Sequence, residues 1–199
     1  LGVLGSLSES IELKEGVSVG AVWCVSQVAR ALGIEKSLGN DFQGKLAMWQ
    51  VIARVINQGS RLSAVRLAQV HAAGEVLDLK RGFDENDLYE NLAWLAENQG
   101  EIEQKLFELR RGGKKPKLFL YDVTSSYLEG EQNYFGAHGY NRDGKKGKKQ
   151  IVIGLLCDED GEAVSTEVFF GNTQDTQTFA PQVRKIAERF GCKEVTVVG

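Results

Sequence analysis

One carboxylate, Asp122, closes the short apolar run Leu118-Phe-Leu-Tyr121 and is followed by three hydroxyl residues, Thr124, Ser125 and Ser126. The run, bounded by Pro116, predicts a short strand buried on both faces. An ionised carboxylate at the end of such a strand costs several kcal/mol unless a cation or hydrogen-bond donors hold it. Two partners suit these residue types. The hydroxyls can close an Asx- or Ser/Thr-turn around Asp122, or Asp122 can be one of several oxygen ligands of a divalent metal.

Two basic clusters flank this strand in sequence. Arg110, Arg111, Lys114, Lys115 and Lys117 precede it, and Arg142, Lys145, Lys146, Lys148 and Lys149 follow it with only Asp143 among them. Each fits a solvated loop or a surface for phosphate. The formal charge of −3 excludes a protein that coats nucleic acid indiscriminately, so distribution matters more than the sum. Other apparent motifs fail. Gly139 to Lys145 has the spacing of a phosphate-binding loop, but Lys146 stands where Ser or Thr is required and no helix follows. Asp158 and Asp160 before Gly161 have the spacing of a hairpin turn, without the rest of a calcium loop. Cys24, Cys157 and Cys192 are too scattered for a disulfide frame or a zinc site.

The elements that would position these groups change character at Pro116. Upstream, Val19, Val22, Val25, Val28, Ala29 and Leu32 recur at helical steps until Gly33, giving a helix of about four turns. The stretch from Val28 to Ile34 has the form of the first helix and turn of a helix-turn-helix, although Glu35 to Asp41 makes a poor recognition helix beside plain bundle packing. Leu46 to Ile56 and Ser63 to Ala73 supply further amphipathic faces. Asp84 is placed to cap a helix carrying Leu88, Leu92 and Leu95, with Gly100 separating it from a last helix over Glu101–Arg110. Downstream, Leu118–Val123 (with continuation toward Leu128 as an alternative), Ile151–Leu156 and Ala163–Phe169 form a three-strand meander. A crossover helix bearing Val183, Ile186, Ala187 and Phe190 then leads to a fourth strand, Val195–Val198, parallel to the first and beside it. The expected architecture is thus α/β (α+β): an all-helical N-terminal domain over 1–111, DNA-binding by expectation, a linker ending at Pro116, and a mixed-sheet domain over 117–199.

The 199 residues have the apolar and charged content of an ordinary soluble protein. No apolar stretch reaches bilayer-spanning length and no basic-then-apolar leader opens the chain, so the expected compartment is the cytoplasm, with no membrane partner. A start at Leu1, a single Met at Met48 and an end at Gly199 directly after a strand pattern lead to the expectation of a fragment.

Three stretches then carry a resemblance: Tyr121-Asp-Val-Thr-Ser-Ser-Tyr127, the run from Gly139 through Gln150 to Leu155, and Phe169-Phe-Gly-Asn-Thr-Gln-Asp175. Together they resemble the DDE transposases of bacterial insertion sequences over residues 76 to 199, and the helical half is similar to that family's N-terminal region. The resemblance implies an RNase H-like catalytic core with Asp122 as the first catalytic, metal-binding Asp. It further implies Mg2+ or Mn2+ as cofactor, insertion-sequence terminal repeats as the DNA partner, and a homodimer on that DNA. Arg142, Lys145, Lys146, Lys148 and Lys149 would then contact phosphate. The family's second Asp follows the fourth strand directly and its third acid lies further on; neither Glu129 nor Asp175 matches those places. Strand cleavage and joining are in-line displacements at phosphorus in which two metal ions clamp the attacking and leaving oxygens, and one carboxylate cannot position two ions. The expectation is therefore a transposase fragment, inactive as it stands. A DNA-binding regulator without catalysis and a nuclease of the same fold remain as alternatives.

Overall fold

The computed structural model describes residues 15–140, 147–192 and 196–198. It is a mixed helix-and-sheet protein that divides into two compact units, Leu1–Glu97 and Asn98–Gly199.

The first unit holds α1 (Gly20–Ala31), α2 (Ile34–Leu38), α3 (Phe42–Ile56), α4 (Arg61–Val70), α5 (Ala73–Val76) and the beginning of α6 (Glu85–Arg111). Val22, Leu46, Met48, Trp49, Ile52 and Leu88 are its largest fully buried apolar side chains. Local capping fixes the helix starts. Asp41 accepts from the Gly44 amide, Ser60 accepts from the Ser63 amide, and Asp84 and Asp87 exchange side-chain-to-amide bonds at 3.0 Å. A polar seam joins α3 to α6: Gln50 Nε2 donates to Leu88 O and to Asn91 Oδ1, and Asn91 Nδ2 donates to Gln43 O and Oε1. These buried amides are satisfied by one another, and a one-residue slip of either helix would break the set. Helix α2 spans only five residues before Gly39, too short for a recognition helix, in keeping with the poor fit of residues 35–41 to that role.

The second unit contains the end of α6, the sheet and α7 (Asp175–Glu188). The strands are β1 (Leu118–Tyr127), β2 (Gln150–Asp158), β3 (Ala163–Phe170) and β4 (Thr196–Val198), in the order β3-β2-β1-β4. β1–β2 and β2–β3 pair antiparallel, whereas β4 pairs parallel to β1, matching Leu118, Phe119 and Leu120 with Thr196, Val197 and Val198. One sheet face carries the core: Phe119, Tyr121, Leu156 and Val164 pack with Phe107 of α6, Ile186 of α7, and Phe190 and Cys192. The Phe107 and Phe190 rings meet with centroids 4.7 Å apart.

Two sequence expectations are corrected. Helix α6 runs without a break through Gly100, because a helical Gly costs only about 1 kcal/mol relative to Ala and the residues after it are firmly tied. Gln99 donates to Thr166 O, Glu103 accepts from the Thr166 amide and the Ser165 hydroxyl, and Glu103 pairs with Arg189. The units consequently divide between Glu97 and Asn98, inside the helix, whereas the sequence placed the division between 111 and 117 at the Gly112-Gly113 linker. Helix α7 spans Asp175–Glu188, so Phe190, counted in the crossover helix from the sequence, lies beyond its end; Gln174 and Gln177 form its capping box and Pro181 sits within it.

Candidate functional site

Asp122 lies in the middle of β1, not at its end. Burial along the strand alternates: Phe119 and Tyr121 are buried and Val123 half-buried on the core face, while Leu120, Asp122, Thr124 and Ser126 are exposed on the other. A strand buried on both faces is thus not what forms, and the desolvation cost assigned to Asp122 does not arise. The expected turn is absent too, since Thr124, Ser125 and Ser126 continue the ladder with β2. The carboxylate's recorded hydrogen bond is to the neighbouring Val123 amide, at 2.9 Å. Opposite residues of an antiparallel pair share a face, so Asp122, Leu155 and Thr166 form one rung, Thr124, Ile153 and Val168 the next, and Ser126, Ile151 and Phe170 the last. Asp122 therefore stands on an open sheet face among exposed Leu120, Leu155, Val168 and Phe170.

The two basic clusters have different fates. Arg142, Lys145 and Lys146 lie outside the described residues. Lys148 is exposed and pairs with Glu129 at 2.7 Å, a hydrogen bond that raises its pKa, and Lys149 Nζ donates to Glu131 O at 3.3 Å. Surface pairs of this kind are worth under about 1 kcal/mol and exchange readily for phosphate. The cluster before β1 is largely engaged within its own unit: Arg110 pairs with Glu162, Arg111 bridges Asp158, Glu159 and Asp160, and Lys115 Nζ donates to Gly191 O. It clamps the β2–β3 turn and the end of α7 instead of lying free as a cationic surface.

Sequence reasoning missed a cleft of about 550 Å³, bounded by Thr124 and Ser125 of β1, by Tyr140, and by Asn172 and Thr173 before α7. All three stretches that carried the family resemblance converge there. Gln150, only 2 % exposed, organises its floor: Nε2 donates to Tyr140 O at 3.0 Å and to Gly171 O at 2.8 Å. Backbone bonds between Ala137 and Gln150, and from Gly171 N to Phe135 O, lash residues 135–140 to the sheet. The chains approach so closely that a Cβ on Gly139 would lie 2.0 Å from Gly171 O, and one on Gly171 1.9 Å from Gln150 O. Glycine is required at both positions by space alone. The available signal was the pair of glycines flanking Gln150 in these motifs, which act as contacts of the backbone and carry no chemistry of their own.

Among the described residues, no group of three or more His, Cys, Asp or Glu side chains is placed to hold a metal ion, and no helix is long and apolar enough to cross a membrane. Cys24, Cys157 and Cys192 are free thiols, and burial pushes the Cys157 and Cys192 pKa values up, away from the reactive thiolate. Comparison with known protein families, curated proteins and solved structures gives no match for this chain.

Proposed function

We propose that the chain is part of a DNA-processing protein of the transposase type, in which the second unit is the first portion of an RNase H-like core and Asp122 is its leading carboxylate. The observation that carries this reading is the position of Asp122. It is exposed on β1, the strand flanked by antiparallel β2 on one side and parallel β4 on the other. In the family that the sequence resembles, the second carboxylate directly follows the fourth strand. The parallel pairing of β4 with β1, up to Leu120 opposite Val198, supports that reading.

The described side chains do not by themselves make a site for Mg2+ or Mn2+. Asp122 is one exposed carboxylate, and a hard divalent ion held by one carboxylate stays mostly hydrated. No catalytic step is therefore assigned to these residues. What they supply is an oxygen donor on a rigid strand and, at the β1–β2 connection, lysines for phosphate.

Salt-dependent DNA binding tests the reading. The chain should bind duplex DNA at low ionic strength, with log K falling linearly with log salt at a slope of about −0.9 per phosphate contacted. Changing Lys145, Lys146, Lys148 and Lys149 together to Ala should flatten that slope by about two to four. Failure to bind duplex DNA at low salt would refute the function; binding with an unchanged slope in the variant would remove the lysines from the interface.

A further inference from the structure

At the corner where β2 begins and β3 ends, aromatic rings are presented to solvent from a backbone that has little freedom. Tyr134 is 81 % exposed and Tyr140 is 86 % exposed, the two most open large hydrophobic side chains among the described residues. Both belong to segments tied to their surroundings by hydrogen bonds. Tyr134 is buttressed by Phe135 and Phe170, with ring centroids 5.0 and 5.3 Å away, and Phe135 and Phe170 lie 5.3 Å from each other. The Asn133 side chain accepts from the Phe135 amide, and its carbonyl accepts from Gly136 N. Tyr140 is held through its own carbonyl by buried Gln150, and the Gly139–Gly171 approach leaves no room for that segment to slide.

The Tyr140 ring is offered from a tethered backbone, and the Tyr134 ring, buttressed by its neighbours, loses little entropy when something stacks on it. The surroundings indicate what that is. Tyr140 forms one wall of the cleft whose other walls offer neutral donors and acceptors, the Ser125 and Thr173 hydroxyls and the Asn172 amide, with Asp175 the acid at its far side. Lys148 and Lys149 lie at the same connection, Lys148 paired with exposed Glu129 and Lys149 donating to the Glu131 carbonyl. Flat aromatic faces, uncharged hydrogen-bonding groups and adjacent cations match a nucleobase with its phosphate. Duplex DNA hides base faces in its stack, so only an unpaired base can use them.

We propose that this corner is a stacking site for unpaired bases of a nucleic-acid strand, with Tyr134 and Tyr140 as the stacking faces and the cleft beside Tyr140 receiving a base edge. The proposal rests on reading the chain as a DNA-processing protein and adds a preference for single-stranded or frayed ends over closed duplex. Phosphate contacts at the lysines serve both forms of DNA, whereas the tyrosines serve the unpaired form alone.

The test is fluorescence anisotropy with the full chain, using a labelled oligothymidine strand and a labelled blunt duplex of equal length. Tyr134→Ala and Tyr140→Ala should each weaken strand binding about tenfold and change duplex binding less than about twofold. Tyr134→Phe and Tyr140→Phe, which keep the ring, should retain wild-type affinity for the strand. Both rings are solvent-exposed, so the substitutions leave the fold intact, which circular dichroism verifies. Duplex binding without strand binding would overturn the stacking proposal and leave the DNA-processing reading standing. Absence of binding to either form would overturn both. Equal losses on strand and duplex would also refute it. So would a concentration-dependent dimer that Tyr134→Ala abolishes while strand binding is unchanged, since the rings would then serve a protein contact.

Discussion

Replacing Arg111 with Met should uncouple the end of α6 from the β2–β3 turn. Its Nη1 donates to Asp158 Oδ2 at 3.2 Å and Asp160 Oδ2 at 2.6 Å, and its Nη2 donates to Glu159 Oε1 at 2.7 Å. The bond to Glu159 above all raises the Arg111 pKa, with burial opposing it and Asp160 adding to it, so the guanidinium stays charged throughout. The three acids are not equivalent. Glu159 and Asp160 are solvated and should give up the cation at a cost of under about 0.5 kcal/mol each. The Asp158 side chain is only 3 % exposed and the Arg111 side chain 12 %, so Met leaves a buried carboxylate without its counter-ion. Breaking a buried pair costs about 3–5 kcal/mol. Asp158 keeps two backbone donors on Oδ1, the Asp160 and Glu162 amides at 3.1 and 3.0 Å, which lowers the expected loss to about 2–3 kcal/mol. Trp23, Trp49 and Trp94 all precede Asn98, so tryptophan fluorescence does not report on this unit. Native-state hydrogen exchange of β2 and β3 amides such as Leu156 and Val164 does. A cycle with Asp158→Asn should recover a coupling of about 1–3 kcal/mol. A loss below about 0.5 kcal/mol, or a coupling near zero, would show that the tether is an ordinary surface ion pair.

Glu167 gives a pH-dependent counterpart: burial pushes its carboxyl up, but donation from Lys185 and Gln182 outweighs this and holds the pKa below the ordinary 4.5. A depressed carboxyl contributes stability that is present above pH 4.5 and lost as pH falls through the folded value. Glu167→Gln should therefore destabilise by about 1–2 kcal/mol near neutral pH, and urea titrations should show that gap closing in acid; a constant gap would refute the assignment. Asp122→Asn should change stability by less than about 0.5 kcal/mol in the same titrations, because the side chain is exposed and accepts from its neighbour's amide. A loss above about 1 kcal/mol would mean that Asp122 has a structural role that its open position on β1 does not suggest.

The order of strands was legible because each carries its own boundary signals. Asp158 and Gly161 mark a turn, and the apolar runs on either side are the right length for a hairpin. The parallel return of β4 beside β1 followed from connection rules and needed no side-chain information. Gly100 was read as a break from propensity, yet it sits inside α6, as Pro181 sits inside α7. Propensity penalties of about 1–3 kcal/mol are overridden where neighbouring residues are tied, as Glu103 is to Thr166 and as Gln182 and Lys185 are to Glu167.

The error at Asp122 has a different origin, and it concerns the candidate site itself. Leu118, Phe119, Leu120 and Tyr121 form a continuous apolar run, which in a buried parallel strand means two covered faces. Here Phe119 and Tyr121 meet the helices while Leu120 remains open beside Leu155. Composition cannot distinguish a strand covered on both sides from one whose second face is apolar but uncovered, because the two differ only in what lies against the sheet. Alternation does separate them once the register is known. The same parity that buries Tyr121 turns Asp122 outward, next to Thr124 and Ser126 and on the face that carries Phe170 and its aromatic neighbours. A carboxylate in that position is held by strand geometry and not by desolvation, so its reactivity depends on which donors or cations approach the open face. The Asp122→Asn titration checks the first half of that statement, since a carboxylate that folding does not use can be removed without loss of stability.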